Sequence, residues 1–313
     1  MRAPLAESTL PLARRLWIYQ RERFPLARTT LLVAVFASAS VSVSAHLAHR
    51  GLPAWPSYAV AILAVLIFFF QLRASDEVKD AEDDAKYRPE RAIPRGLVSL
   101  RLIVGLAVAA APVSAIAVAA LDMRLLPLLA AVWVWMALMG VEFFAPAWLR
   151  GRPFIYLVSH MLVMPLIDLF ATACEWVPAN AFPPPLLWLF LILSFLNGTV
   201  LEIGRKIYAP ANERPGVETY SGLLGMRMAT AVWCAVVAAA FGCLLVIGSA
   251  VGALPLVALI GVVAFGASML AAIAFLLRPD AARQKLVDGV AGLWVLLCYL
   301  AAGYSPLVLR ALS

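Results

Sequence analysis

Charged residues are scarce in this sequence. Asp, Glu, Lys and Arg make up 14% of the 313 residues, whereas 64% are hydrophobic and the mean hydropathy is +0.91. Soluble domains carry about 25% charged residues, and disordered chains are more polar still. The composition therefore excludes a disordered chain and a soluble nucleic-acid-binding protein.

Cysteine is sparse as well. No C-x-x-C pair and no Cys/His cluster occurs in the sequence. A disulfide scaffold, a thiolate metal site and thiol redox chemistry are therefore unsupported. We interpret the four cysteines as apolar packing residues: Cys174, Cys234, Cys243 and Cys298.

Long apolar runs are what this chain has in abundance. A membrane crossing takes about 20 apolar residues. Runs of that length, separated by charge, proline or glycine, predict nine transmembrane helices, over 25–46, 52–72, 97–120, 125–147, 154–174, 184–203, 222–248, 253–277 and 286–309.

The distribution of positive charge predicts the orientation of these spans. With the N-terminus in the cytoplasm, all but three of the 25 Lys and Arg residues fall on the cytoplasmic side. The exceptions are Arg50, Arg124 and Arg310. Such an asymmetry is the positive-inside pattern of membrane proteins. We therefore expect an integral protein of the cytoplasmic (inner) membrane whose C-terminus lies outside.

The remaining segments complete the predicted organisation. We expect one all-α membrane domain over 1–313. Residues 1–24 predict a cytoplasmic amphipathic helix on the bilayer surface, since basic residues there alternate with Trp17 and Tyr19. Residues 73–96 and 204–221 predict two cytoplasmic cap loops.

An acidic stripe follows the second span. Asp76, Asp80 and Asp84 stand at i, i+4 and i+8, so a continuous helix would align them on one face, with Glu77 beside them. Like charges at this spacing oppose helix formation by roughly 0.2–0.5 kcal/mol per pair. A bound cation explains the stripe. The alternative is a solvated acidic face with Lys79 and Lys86 as its partners.

The ligand types indicate which cation this is. Carboxylates without His or Cys favour a hard ion, Mg²⁺ or alternatively Mn²⁺, which would bridge the protein to phosphate oxygens. Arg88, Arg91 and Arg95 follow the stripe, and guanidinium groups suit phosphate recognition. The charge distribution places this segment on the cytoplasmic side, so we expect the active site to face the cytoplasm.

Together these residues resemble the signature of a known family. Residues 76–84, DEVKDAEDD, are similar to the NDxxDxxxD motif of the UbiA superfamily of intramembrane prenyltransferases, with Asp76 at the Asn position and Glu77 at the first Asp position. Residues 88–99, RPERAIPRGLVS, resemble the KxNRPIPSGxxS segment that follows it. Only Ala92, where proline is usual, departs clearly. The resemblance implies a nine-helix bundle around a central cavity.

The second motif of that family departs from its usual form. The resemblance predicts DxxDxxxD after the sixth helix, but the chain reads LEIGRKIYAPANERP over 201–215, and only the following G-x-x-T element, Gly216 to Thr219, is present. Glu202 is the best remaining carboxylate, with Asn212 and Glu213 weaker candidates. We hypothesise a remodelled phosphate site in which Arg205 and Lys206 form a basic wall. The alternative is that Glu202 and Lys206 form only an i, i+4 pair.

The resemblance also implies roles for individual residues. Mg²⁺ would lie on Asp76, Glu77, Asp80 and Asp84, and catalysis would depend on Asp76, Asp80, Asp84 and Glu202. Substrate contacts are expected from a larger set of side chains: Arg73, Arg88, Arg91, Arg205, Lys206, Asn197, Tyr220 and His160.

Two further ionisable side chains, Glu142 and Asp168, fall within predicted spans. Ionisable residues there are costly and face the protein interior. We interpret Asp168 as a helix–helix hydrogen-bonding residue.

The function implied is transfer of an isoprenoid group from a prenyl diphosphate to a lipophilic or aromatic acceptor, with the bilayer as environment and no nucleic acid as partner. Two alternatives stay open. One is a UbiA-type terpene cyclase without an acceptor. The other is a non-catalytic protein that binds or transports isoprenoids or lipids.

Overall fold

The computed structural model describes residues 10–214 and 217–312. The described part is helical without strands, and nine of its helical segments are long and apolar enough to cross a membrane. The fourth, Met123–Gly140, begins with a 3₁₀ turn, and the fifth, Pro153–Trp176, consists of two consecutive helices. The predicted all-α fold class is confirmed. The helices are α1 Leu12–Arg23, α2 Leu26–Leu47, α3 Trp55–Lys79, α4 Ala81–Tyr87, α5 Leu100–Leu121, α6 Leu126–Gly140, α7 Pro146–Arg150, α8 Pro153–Met161, α9 Val163–Trp176, α10 Leu187–Gly204, α11 Tyr220–Leu224, α12 Met226–Ala250, α13 Leu254–Leu277 and α14 Ala281–Leu312.

Two predicted boundaries differ from the structure by seven residues, and the others differ by less. The second span continues to Lys79, so the first part of the cap loop predicted over 73–96 is helical. The fourth span ends at Gly140 rather than at 147, because the backbone turns away in a short 3₁₀ segment, Glu142–Phe144. Apolar side chains after Gly140 made the span appear longer than its helix. Both differences bring charged residues close to the ends of membrane helices.

The spanning helices form a closed arrangement of neighbours. Each helix contacts the next in the order α2, α3, α5, α6, α9, α10, α12, α13 and α14, and α14 in turn contacts α2. Helices α2 and α10 are the most deeply buried of these spans. Small residues allow this packing, since a Cβ on Gly303 of α14 would lie 2.7 Å from the Cα of Ala39 in α2.

Asp168 joins three membrane helices, as the sequence predicted. Its side chain is fully buried in α9. Ser40 of α2 donates to Oδ1 at 2.5 Å, and Tyr299 of α14 donates to Oδ2 at 2.6 Å. These bonds satisfy a carboxylate that lipid could not solvate.

Helix α1 packs on the segment between α4 and α5. Tyr19 is buried against this segment, and Arg15 Nε donates to the carbonyl of Leu97 at 2.5 Å. On the outer side, Glu22 accepts hydrogen bonds from Arg95 at 2.8 and 2.9 Å. Within the segment 1–24 the structure has a helix over Leu12–Arg23, and residues 1–9 lie outside the described part. Contact with the bilayer surface stays a prediction.

Candidate active site

The acidic stripe keeps its helical spacing across the junction of α3 and α4. The amide of Asp80 donates to the carbonyl of Asp76 at 2.9 Å, and that of Asp84 donates to Asp80 at 2.7 Å. The amide of Arg88 continues the series by donating to Asp84 at 2.9 Å. The three aspartates are therefore one turn apart, although α3 ends at Lys79.

Two of the four predicted metal ligands are instead bound by arginines. Arg23 Nε lies 2.7 Å from Oε1 of Glu77, whose side chain is 2% exposed, and Arg73 Nε lies 3.2 Å from the same oxygen. Arg91 lies 2.6 Å from Oδ2 of the buried Asp84. The charge-assisted bonds from Arg23 and Arg91 take up Oε1 of Glu77 and both oxygens of Asp84, which a metal ion would otherwise use. Glu77 and Asp84 therefore do not fit a metal site in this arrangement.

Asp76 and Asp80 remain available. The Asp76 side chain is 60% exposed, and its nearest ion-pair partner, Arg73, lies 3.8 Å away. Its electrostatic neighbours include Asp80, Lys79 and Arg205. Asp80 has no hydrogen bond or ion pair from its carboxylate to another described residue. Two carboxylates with water and substrate phosphate are a usual Mg²⁺ environment, so these two fit the ion.

Binding of Mg²⁺ at the acidic stripe stays a prediction, with Asp76 and Asp80 as the two carboxylates available to the ion. Over residues 10–214 and 217–312, no group of three or more His, Cys, Asp or Glu side chains could hold a metal ion. A metal site here would need ligands from the substrate as well as from Asp76 and Asp80.

Glu202 forms the i, i+4 ion pair with Lys206 that the sequence analysis left open as an alternative. It is buried at the end of α10. Lys206 Nζ lies 2.8 Å from Oε1, and Arg205 contacts Oε2. The Arg205 side chain is nevertheless 61% exposed, and it is an electrostatic neighbour of Asp76. One basic group therefore faces the acidic stripe even though Glu202 is paired.

The second cap segment is organised around Glu213. Thr219 donates to Oε2 at 2.7 Å and Ser221 donates to Oε1 at 2.6 Å. The Thr219 oxygen also accepts from the amide of Gly222, where a Cβ would lie 2.9 Å from that oxygen. Glu213 therefore holds the loop, and Asn212 similarly donates to Gln284 at 2.7 Å. Gly216 of the G-x-x-T element lies outside the described residues.

Tyr220 and Asn197 have different environments. Burial, together with the nearby Glu202 carboxylate, raises the pKa of the Tyr220 phenol, so it stays protonated as a donor. Tyr156 is also an electrostatic neighbour of Tyr220. Asn197 is buried in α10, where its Oδ1 accepts from the indole of Trp294 at 3.1 Å. The structure thus uses the Asn197 oxygen in helix packing.

A polar cluster that sequence reasoning did not assemble lies beside Asp76. We call Lys79, Glu142, Tyr156 and His160 the Lys79 cluster. Lys79 Nζ lies 2.5 Å from Oε1 of Glu142, 3.1 Å from the Tyr156 hydroxyl and 3.2 Å from Nε2 of His160. The Tyr156 and His160 rings are stacked with centroids 3.8 Å apart. Of this set, only His160 was predicted as a substrate contact.

The backbone at Glu142 has an unusual conformation. Glu142, Phe143 and Phe144 have φ values of 50°, 52° and 57°. Left-handed geometry costs non-glycine residues roughly 1–2 kcal/mol each. Packing of the Phe143 ring against Trp135, with centroids 5.3 Å apart, and the Lys79 ion pair hold this turn. Strain of this kind persists where the surroundings over-determine it, typically at functional sites.

Two signals could have revealed this cluster. Glu142 is a carboxylate beside a membrane span and so requires a partner. Lys79 is the one cation inside the acidic stripe, and charge parity places both residues at the same end of the bundle. Arg23 offered no comparable signal, because 54 residues separate it from Glu77.

Two cavities flank the site. A polar cavity of about 340 Å³ lies between the two cap segments and is lined by Arg88, Arg214, Asn212, Tyr208, Val217, Ala211 and Gln284. An apolar groove of about 370 Å³ lies between α3, α5 and α6. Its lining on α3 includes Ala74, Ser75 and Val78. Ala74 and Val78 are each two residues from Asp76, so the groove lies on a different face of α3 from the acidic stripe.

Comparison with known proteins gives a fold but no close relative. No protein-family model matches the chain, and no curated protein matches it. The structure of a UbiA homologue from Aeropyrum pernix K1 superposes with a TM-score of 0.65 at 17% identity, covering 89% of this chain and 98% of the other. A structure of digeranylgeranylglyceryl phosphate synthase gives 0.64 at 12% identity, covering 94% and 99%.

Both neighbours belong to the UbiA superfamily of intramembrane prenyltransferases. They cover nearly the whole chain, which agrees with the motif resemblance at residues 76–99. At these identities the likeness establishes the architecture. The fold of this chain is therefore the UbiA fold.

Proposed function

We propose that this chain is a membrane prenyltransferase that takes an isoprenoid group from a prenyl diphosphate and transfers it to a lipophilic or aromatic acceptor. The observation that carries the proposal is the meeting of two features at Asp76: two carboxylates available to a cation, and the basic side chains around them. The UbiA fold supports the same function at the level of the superfamily.

The charge balance of the site suits an anionic substrate. Six carboxylates contact or neighbour seven basic side chains, which leaves a formal charge of +1 before any metal ion binds. The carboxylates are Asp76, Glu77, Asp80, Asp84, Glu142 and Glu202. The basic groups are Arg23, Arg73, Lys79, Arg88, Arg91, Arg205 and Lys206.

These basic groups define the remodelled phosphate site. Arg88 lies 3.6 Å from Asp84 and also lines the polar cavity, so its guanidinium can reach a phosphate there. Arg205 and Lys206 approach from the opposite wall. Fixed positive groups stabilise the charge that develops on a leaving diphosphate. Arg91 and Arg73 act mainly by holding the acidic helix in place.

Mg²⁺ bound by Asp76 and Asp80 would add Lewis-acid stabilisation of the leaving diphosphate. The chain's own residues bind and orient the substrate at both ends. We place the isoprenoid tail in the apolar groove between α3, α5 and α6, whose lining on α3 reaches Val78, two residues along the chain from Asp76 and from Asp80. Tyr220 contributes a protonated hydroxyl to the phosphate end.

The decisive experiment measures diphosphate release from geranylgeranyl diphosphate by the purified protein with and without Mg²⁺. Asp80→Asn should reduce the rate by roughly 10²-fold or more, which is the effect of removing one group that stabilises the developing charge. Glu82→Gln is the matched control, since Glu82 is an exposed carboxylate in α4, which begins directly after Asp80. Undiminished release by Asp80→Asn would contradict the assignment.

Product analysis distinguishes the competing functions. A transferase needs an acceptor for its product, whereas a cyclase releases diphosphate and a hydrocarbon or alcohol without one. Binding of the donor without release of diphosphate, in the presence of every acceptor and of Mg²⁺, would instead indicate a non-catalytic lipid-binding protein.

A further inference from the structure

We propose that Glu142 is a catalytic residue that binds the hydroxyl group of the acceptor and accepts its proton. The inference rests on the proposed function, because it names the acceptor chemistry of that site. It predicts an acceptor with an alcohol or phenol group, carried on an apolar body.

The two carboxylate oxygens of Glu142 have unequal surroundings. Oε1 receives Lys79 at 2.5 Å and the Tyr156 hydroxyl at 3.3 Å. Oε2 is buried and has no hydrogen-bond partner in the described part of the chain. A buried carboxylate oxygen without a donor is unfavourable and rare. The arrangement is completed by a ligand that brings an O–H group to Oε2.

His160 does not supply that hydrogen. Its Nε2 lies 3.5 Å from Oε2 of Glu142, beyond a good hydrogen bond. Its Nδ1 donates to the carbonyl of Tyr156 at 2.9 Å. In the neutral ring Nε2 then has no hydrogen and accepts from Lys79 at 3.2 Å. Oε2 is therefore left for a substrate.

The turn at Glu142 provides both rigidity and an apolar surface. Three consecutive left-handed residues fix where the carboxylate lies. The Phe143 ring packs edge-on against His160, with centroids 6.0 Å apart, and the Tyr156 ring stacks on His160. Aromatic faces of this kind suit the body of a lipophilic acceptor.

The Lys79 cluster also adjoins the phosphate end. Lys79 is an electrostatic neighbour of Asp76, and His160 is one of Glu202. A hydroxyl at Oε2 would therefore lie close to the proposed diphosphate site. Deprotonation and departure of the leaving group can occur together there.

A lone pair of the acceptor oxygen forms the new C–O bond to the first carbon of the prenyl group. The bond from that carbon to the diphosphate oxygen breaks, and its electron pair leaves with diphosphate. The hydroxyl proton moves to Oε2 of Glu142, which later releases it to water.

A binding experiment without donor tests the acceptor site directly. Wild-type protein in detergent is titrated with 4-nonylphenol and with its O-methyl ether, which lacks the O–H group. We expect the phenol to bind roughly tenfold to a hundredfold more tightly, the range for a hydrogen bond to a charged group. Glu142→Gln should abolish this preference, because an amide N–H₂ replaces the accepting oxygen. Glu90→Gln, at an exposed cap residue, should retain it.

Equal affinities of the wild-type protein for the two probes, or no binding of either, would overturn the proposal. So would an unchanged preference in Glu142→Gln. The wild-type comparison requires no variant, so a variant that fails to fold does not affect it.

A second measurement tests proton transfer. With geranylgeranyl diphosphate and 4-nonylphenol, Glu142→Gln should lower kcat for ether formation roughly 10²–10⁴-fold, the range for general base catalysis, with an unchanged KM for the donor. A kcat equal to that of the wild type refutes the role. If the wild-type protein never ionises the donor, the proposed function fails, whereas the phenol preference still decides the acceptor site.

Discussion

The ion pair between Arg23 and Glu77 offers the sharpest test of how this site is built. It joins α1 to the end of α3 at 2.7 Å, with side-chain exposures of 14% and 2%. Arg23→Met keeps the apolar stem but removes the charge. Glu77→Gln removes the other charge with little change in shape. The double variant completes a thermodynamic cycle.

The expected magnitude follows from burial. Removing one partner of a buried ion pair destabilises a protein by about 3–5 kcal/mol, because the other charge is left without compensation. Here Arg73 remains 3.2 Å from Glu77 and supplies part of that compensation. We therefore expect Arg23→Met to lower the free energy of unfolding by about 2 kcal/mol, with a coupling free energy of similar size in the cycle.

The measurement is denaturant titration of the protein in mixed micelles, followed by far-UV circular dichroism. The pair of Arg283 and Asp280, at 2.5 Å with about a third of each side chain exposed, is the control, and its cycle should show much weaker coupling. A coupling for Arg23 and Glu77 below about 0.5 kcal/mol would refute the reasoning, since such a value is typical of solvated surface pairs.

Three further predictions concern other parts of the molecule. Hydrogen bonds from Arg124 lower the pKa of Asp122 to about 2. The Asp122 charge therefore stabilises the fold above about pH 4, and this contribution is lost as the pH falls towards 2. Asp122→Asn should flatten the dependence of Tm on pH between pH 4 and pH 2. Gly303→Ala should lower the unfolding free energy by about 1–3 kcal/mol through its contact with Ala39, whereas Gly292→Ala, with open space around it, should not, and equal effects would contradict this packing. Ala111→Leu should fill the groove and raise KM for a twenty-carbon donor more than for a ten-carbon donor; an equal change for both would exclude the groove as the tail site.

Much of the fold could be predicted because its causes are local. A bilayer demands about 20 apolar residues per crossing, so the spans can be located without knowing their neighbours. The end of the fourth span could not be placed in this way. Val141, Phe143 and Phe144 are apolar enough for lipid, but a left-handed turn ends the helix at Gly140.

The candidate site was only partly predictable. Helical spacing correctly aligned Asp76, Asp80 and Asp84, since hydrogen bonds between residues four apart are local. Composition alone did not distinguish Asp84, which Arg91 binds, from Asp80, which has no partner among the described residues.

The sequence by itself determined the helical class, the number of spans and the position of the acidic motif, because hydropathy and helical periodicity act over one or two turns. Only the tertiary structure decided which carboxylates are neutralised and which are left available. Arg23 reaches Glu77 from another helix, and the turn after Gly140 carries Glu142 to Lys79. Electrostatic partners depend on distances of a few ångströms between segments far apart in the chain, and no local pattern specifies those distances.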